Sequence, residues 1–353
     1  MNLKDLSRLL GISQTTVSRA LNGYPEVSEA TRARVIKAAR SHNYSPNTRA
    51  QGLATGHSRC IGHVISVRDS GEMVNPIFGD FMAGAGETYA RHGYEMMLTR
   101  VDKRDEAEVY RTLKARGSVD GVVLHAPRMN DARLPLLAEI GLPFVLHGRT
   151  SGTTTPYSWL DVNNRAAFEQ VTRYLIDLGH RRIALINGLE DLDFAMRRRQ
   201  GFEAAMRGGA LAIDPRLMAA GEMTEGHGHA AANAMLEGAD PPSAFVVSSI
   251  ICALGARRAI EERGLRLGGD VSVATYDDCL SYLRNGAETP VFTAVQSSVR
   301  KAGAALAQML IDRIQTPGAP QAECLWETEF VVGSSTGRHE ARNKAHQKAR
   351  NKD

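Results

Sequence analysis

Cysteine, tryptophan and long apolar runs are all scarce in this chain. Its 353 residues hold four cysteines and two tryptophans, and aromatic residues make up only 6%. Cys60, Cys252, Cys279 and Cys324 lie far apart, without CxxC or metal-like spacing. Neither a disulfide framework nor a zinc site is therefore expected, and the thiols read as reduced and buried. No metal and no cofactor is expected. No stretch of 18 apolar residues occurs, so no segment reads as crossing a membrane. The opening residues, MNLKDLSRLLGIS, place polar residues inside their apolar pattern and offer no small-residue cleavage site. They do not read as a secretory signal, and a cytoplasmic location is expected. P-loop, GxSxG, HExxH and paired-carboxylate motifs are missing as well. The glycines of GAGETYARHG (84–93) fall inside a helical run, so they do not form a dinucleotide loop. An enzyme is not expected.

The charge is unevenly placed. Residues 1–58 hold eight Lys and Arg against three Asp and Glu. Residues 338–353 hold six against two, whereas 59–337 hold 29 against 34. A basic first segment on a mildly acidic body points to a polyanionic partner for that segment alone. The tail, RHEARNKAHQKARNKD, has no apolar periodicity and no leucine heptads. It reads as disordered, and a tetramer-forming coiled coil is not expected.

Leu3, Leu6, Leu9 and Leu10 recur as one apolar face of a short helix. Gly11 can supply the positive φ that ends it. Ser13 is a good N-cap for a second helix with Val17, Ala20 and Leu21 inward, and Ser28 caps a third with Val35, Ile36, Ala38 and Ala39 inward. Two short helices joined by a tight turn, closed by a third, make a helix-turn-helix. In such a module the start of the second helix meets base edges, here Gln14, Thr15 and Thr16, with Ser18 and Arg19 one turn on. Gln pairs bidentately with adenine and Arg with guanine. Thr16 and Ser18 could equally touch phosphates.

LGISQTTVSRALNG, VSEATRARVIKAA and NYSPNTRAQGLATG together resemble the DNA-binding headpiece of the lactose-repressor (LacI/GalR) family, without a gap through residues 3–58. The resemblance implies that Gln14 and Thr15 are the variable base readers and Arg19 the family-wide one. Ser13, Asn22, Tyr44, Asn47 and Ala50 complete the implied DNA-facing set. Residues 47–56 resemble the family's hinge helix, which Gly52 weakens by about 1 kcal/mol. Such a segment forms only against its dimer mate and DNA, and Leu53 matches the wedge that parts a central base step.

From Cys60 onward the pattern alternates. CIGHVISV, GYEMMLT, VDGVVLHA, LPFVLHG, RIALING, AFVVSS and VSVATYDD read as strands, and helical runs such as 78–92, 164–178, 194–207 and 252–263 separate them. Alternation of this kind predicts two doubly wound lobes with parallel sheets and a ligand cleft at the strand carboxyl ends. LGHRRIALING, RRRQGF and DVSVATYDD resemble the same family's effector domain, which shares the fold of periplasmic sugar-binding proteins.

The expected fold is thus an all-α helix-turn-helix headpiece (1–45), a hinge helix and linker (46–58), an α/β two-lobed effector-binding and dimerisation domain (59–337) and a basic tail (338–353). By the resemblance the chain crosses between lobes three times. The first lobe would hold 59–160 and 291–321, the second 161–290 and 322–337. Arg198, beside Gly201 and Phe202, matches the arginine that clamps sugar hydroxyls or an acidic group, and Asp277 matches a carboxylate that accepts from ligand hydroxyls. Asn75, Pro76, Asp161 and Asn163 sit at ligand loops or the lobe junction, and Trp159 and Tyr276 are candidate aromatic platforms. Two departures stand out. Ser249 and Ile250 replace a common Asn-Asp pair, and His147, Gly148 and Arg149 replace a common Asp-Arg. If His147 and Arg149 point inward, a phosphorylated or acidic ligand becomes an alternative to a neutral sugar.

The resemblance implies a homodimeric regulator, most simply a repressor of carbohydrate genes, released from pseudopalindromic operator DNA by a small effector. An activator or a corepressor-dependent regulator has the same sequence features. A transport-type binding protein would share the body but not the headpiece.

Overall fold

Polar caps and a glycine stop define the first helices of the computed structural model, which describes residues 1–44, 56–66, 75–101 and 106–339. Asn2 and Asp5 form a reciprocal capping box on α1 (Leu3–Leu10), and Gly11 ends it at φ 65°. Ser13 and Ser28 cap α2 (Gln14–Leu21) and α3 (Glu29–Ser41), accepting from the Thr16 and Thr31 amides. Leu6, Val17, Ala20, Val35 and Ala39 form the core of this module. Leu9 departs from expectation and is 54% exposed. Six residues after Leu3, it lies about a third of a turn off the stripe that Leu3, Leu6 and Leu10 share.

The body alternates strands and helices: β1 (Cys60–Ser66), α4 (Pro76–Arg91), β2 (Glu95–Val101), α5 (Glu106–Ala115), β3 (Gly121–Leu124), α6 (Arg133–Glu139), β4 (Phe144–His147) and β5 (Ser158–Val162). The second lobe follows with α7 (Asn164–Asp177), β6 (Ile183–Asn187), α8 (Asp193–Gly208), β7 (Met218–Ala220), α9 (Glu225–Leu236), β8 (Ala244–Val247), α10 (Ile250–Glu262), β9 (Ser272–Asp277) and β10 (Thr293–Gln296). The last elements are α11 (Val299–Gln315), β11 (Glu323–Trp326) and β12 (Glu329–Val331). One sheet runs β11-β5-β4-β3-β1-β2, all parallel. The other runs β12-β10-β9-β8-β6-β7, with only β12 antiparallel. The central strands β3, β6, β8 and β9 are buried at every residue, as helices on both faces require.

The pairings move the expected lobe boundaries. β10 hydrogen-bonds to β9, so the chain stays in the second lobe through Gln296. β11 pairs with β5 of the first lobe, not with the second. The crossings therefore fall after β5, between β10 and α11, and between β11 and β12. A four-residue strand says nothing in its sequence about which sheet will accept it. Residues 45–55, with Asn47, Ala50 and Leu53, and the tail from 340 lie outside the described residues.

Candidate functional site

At the headpiece, Ser13, Gln14, Thr15, Arg19 and Asn22 are exposed, while Thr16, Ser18 and Tyr44 are half-buried. The Ser13 hydroxyl accepts from the Thr16 amide at 3.0 Å and meets the Thr16 hydroxyl at 2.8 Å. The pair is thereby tied to the start of α2, and Gln14 and Thr15 stand out from it. Asn22 donates to Ser18 at 3.4 Å. Arg32 and Arg34 turn inward to the carbonyls of Tyr24 and Leu10, so not every cation here is offered to a phosphate.

The two sheets bring their strand ends face to face around a cavity of about 210 Å³. The first lobe contributes Asn75, Phe78, Phe81, His125, His147 and Asp161; the second contributes Asn164, Phe194, Arg198, Tyr276 and Asp278; Ser297 and Ser298 come from the second crossing. Asn75 and Ser298 are N-caps of α4 and α11. Two non-glycine residues adopt the left-handed region beside the cavity, Ala126 at φ 47° and Cys279 at φ 53°. Each follows a lining residue, a placement typical of ligand loops.

Arg198 is the most constrained group in the cavity. Its Nε donates to Asn164 Oδ1 at 2.8 Å and its Nη1 to the Ser248 carbonyl at 2.6 Å. The guanidinium carbon lies 4.1 Å from the Tyr276 ring centre and 4.9 Å from that of Phe194. Burial lowers its pKa, but from a starting point so high that the charge is kept. Gly201, one turn later, lets α8 close on α7, since a Cβ there would collide with the Arg165 carbonyl oxygen. The RRRQGF motif thus supplies a clamp and the close helix contact that aims it.

The carboxylates divide by environment. Asp161 accepts from Arg149 at 2.8 Å and from Asn164 at 3.1 Å, and burial still raises its pKa against that pairing. Burial also pushes Asp278 up to about 7, opposed by the nearby Arg198 and reinforced by Asp277. The two histidines on the first-lobe wall are held neutral by burial: His147 falls to about 4 and His125 well below its ordinary value.

Of the residues expected at the effector site, Asn75, His147, Asp161, Arg198 and Tyr276 line the cavity. Pro76, Arg149, Trp159, Asn163, Ser249 and Asp277 do not. Pro76 opens α4. Arg149 turns from the cavity to pair with Asp161 and stack on Trp159, 5.0 Å from the ring centre. Asn163 caps α7 and donates to Glu327 at 2.9 Å, and the fully buried Ser249 caps α10. Asp277 accepts from the Cys279 amide at 2.8 Å, a turn-capping role, whereas its neighbour Asp278 faces the cavity. Phe78, Phe81, His125, Asn164, Phe194, Ser297 and Ser298 had not been singled out from sequence. His125 directly follows the GVVL strand within VDGVVLHA, so its strand-end position was a usable signal; Phe194 and Ser297 had none.

The lobes touch at two seams. The Pro127 carbonyl accepts from the Asp193 amide at 2.9 Å, and Arg128 and Leu192 form an antiparallel bridge. The Ser151 amide donates to Asp193 at 2.7 Å, and Arg197 donates to the Ser151 hydroxyl at 3.0 Å. At the second seam Asp80, on α4, accepts from the amide and hydroxyl of Ser281 at 2.6 and 2.7 Å.

The model for periplasmic binding proteins and the sugar-binding domain of the LacI family matches residues 66–332, and that for bacterial regulatory proteins of the lacI family matches 2–47. The chain is 43% identical over 337 residues to the HTH-type transcriptional regulator AglR of Rhizobium meliloti (strain 1021), covering 96% of this chain and 94% of that one. It is 31% identical over 334 residues to the HTH-type transcriptional regulator CelR of Thermobifida fusca, covering 94% and 97%. A CelR–cellobiose complex superposes with a TM-score of 0.70 at 30% identity, over 94% of this chain and 99% of that one. The lac repressor dimer bound to operator and the anti-inducer ONPF does so with a TM-score of 0.81 at 25% identity, over 96% and 99%. With its helix-turn-helix, its two parallel-sheet lobes and the cavity between them, this chain belongs to the LacI family of DNA-binding transcriptional regulators, which are not enzymes.

Proposed function

We propose that the protein is a cytoplasmic homodimeric repressor of carbohydrate uptake or catabolism genes, released from a pseudopalindromic operator by a neutral sugar. The charge balance of the cavity carries this reading. Among the described residues, Asp161 is neutralised by Arg149, and the remaining lining carboxylate, Asp278, offsets the one lining guanidinium, Arg198. With both carboxylates already balanced, the described lining leaves no unpaired cation for an anionic ligand, which argues against the phosphorylated or acidic alternative. Few placed polar groups among Phe78, Phe81 and Phe194 suit a polyhydroxylated ring. The relatives add to this, since CelR was solved with cellobiose.

No helix among the described residues is long and apolar enough to cross a membrane. On the DNA side, Gln14, Thr15 and Arg19 read the half-site, with Ser13, Thr16, Ser18, Asn22 and Tyr44 positioning the headpiece and Asn47, Ala50 and Leu53 acting at the hinge.

The test is fluorescence anisotropy with palindromic DNA from the neighbouring promoter, titrated with neutral sugars and their phosphates. Release by a neutral sugar is expected. Tightening would mark a corepressor, and a response to phosphates alone would overturn the neutral-ligand reading.

A further inference from the structure

A chain of hydrogen-bonding rings runs from behind the cavity wall to the cavity itself. His63, on β1, is fully buried, and both its ring nitrogens are engaged. Nε2 lies 3.0 Å from the Tyr89 hydroxyl on α4, and Nδ1 lies 3.0 Å from Nε2 of His125. His125 stacks on His63 with ring centres 5.3 Å apart. Phe78 and Phe81 grip it edge-on at 5.2 and 4.8 Å. The ring at the far end of this chain is part of the cavity lining.

A neutral imidazole carries one N–H, so each bond in such a chain fixes the direction of the next. The direction is set at Tyr89. Among the described residues, its hydroxyl is buried with His63 as its one hydrogen-bond partner. A buried phenol that only accepted would leave its own proton orphaned, a greater loss than a spare lone pair. Tyr89 therefore donates to Nε2 of His63, which places the His63 proton on Nδ1. That proton is donated to Nε2 of His125, so the His125 proton must sit on Nδ1. Burial brings His63 down to about 3, so no second proton blurs this order near neutral pH. His125 Nδ1 makes no hydrogen bond among the described residues, yet it is not sealed: the only buried, partnerless side-chain atoms described are Arg32 Nε and His227 Nε2. The open space that His125 borders is the cavity.

We infer that Tyr89 and His63 are positioning residues that lock His125 as an Nδ1–H donor toward the cavity, so the effector must offer it an acceptor lone pair. This rests on reading the cavity as the effector site, but the tautomer itself does not. A ligand hydroxyl that accepts from His125 keeps its own proton free for a carboxylate, and Asp278 and Asp161 are the carboxylates in the described lining. His125 and Asp278 then read the two halves of a hydroxyl, and replacing that hydroxyl by hydrogen would lose both.

The test is long-range 1H–15N correlation of the full-length protein with 15N-labelled histidine, with His125 and His63 assigned by His125→Gln and His63→Gln. Expected in the free protein are Nδ1–H patterns for both rings, the less common form in water. The Nδ1 resonance of His125 should move when glucose, maltose, sucrose or cellobiose is added at a concentration that releases operator DNA. Tyr89→Phe removes the donor that sets the order and should mix the tautomers at both rings. The half-maximal concentration of the active sugar should rise about fivefold, the worth of one net hydrogen bond, with operator affinity unchanged in its absence. An Nε2–H pattern for His125 in the free protein overturns the relay whatever the sugars do. An Nδ1–H pattern that a DNA-releasing sugar leaves unmoved overturns the role of His125 toward the effector, while the repressor reading stands. If none of these sugars or the wider panel releases DNA, the repressor reading fails, and the free-protein spectrum still decides the tautomer.

Discussion

Asp277 and Asp278 are adjacent, carry the same carboxyl group and have different surroundings. Asp277 spends its oxygen on the Cys279 amide, whereas Asp278 faces the cavity and titrates near 7 because burial penalises its charge. Its folded-state pKa lies above the unfolded value, so its contribution to stability is full below the unfolded pKa and is lost as pH rises through about 7. Asp278→Asn should therefore gain stability relative to the parent between pH 5 and 8, as urea midpoints at stepped pH would show, and a constant difference would rule out the raised pKa. Sequence identified the YDD pair but assigned the ligand role to Asp277, whereas Asp278 lines the cavity; which carboxyl turns inward depends on the backbone turn at Cys279. Arg198 was legible for the opposite reason: RRRQGF joins the clamp to the glycine its helix needs. The family departures at His147 and Arg149 were visible, but the outward turn of Arg149 depends on Asp161 and Trp159, two residues fixed by a strand that the alternation did not reveal.

At the scale of elements, caps and close contacts decide what each helix can tolerate. Ser13→Ala removes the acceptor for the Thr16 amide and should cost the headpiece about 1 kcal/mol. Operator affinity should fall with it while sugar binding by the body, measured by calorimetry, stays unchanged. Gly201→Ala drives a methyl into the Arg165 carbonyl, a backbone atom that cannot swing away. A loss of about 1–3 kcal/mol is expected from such overpacking, read as a lower urea midpoint; a neutral result would mean that α7 and α8 can separate without penalty. The long strands and helices were readable because apolar runs and amphipathic stretches alternate. β5, β10, β11 and β12 were not, although β3, β4 and β8 are as short: β11 and β12 are partly exposed and lack the unbroken apolar run of the central strands, and sheet membership is settled by pairing alone.

Across the whole molecule, charge separates the two functions. The headpiece carries the cationic excess, and among the described residues part of it makes no internal side-chain bond, whereas the described cavity lining is close to neutral. Operator affinity of a dimer should fall steeply with salt, by roughly 10³-fold or more between 50 and 200 mM if at least six phosphates are contacted. Sugar affinity should be nearly flat over the same range. Titrations of both ligands at four salt concentrations would check this, and a steep salt dependence for the sugar would point to an ionic effector.

The hydrogen bonds that join the lobes beside the cavity, Pro127 to Asp193, Ser151 to Asp193 and Arg197, and Asp80 to Ser281, have a consequence in time. The cavity can widen only when these seams part, because they tie one lobe to the other. A molecule held by both lobes adds its own bonds to these seams, so the lobes part less often while it is bound and the occupied state outlasts a brief fall in ligand concentration. Transcription under such a regulator would follow a running average of the nutrient supply, with short fluctuations filtered out by the protein itself.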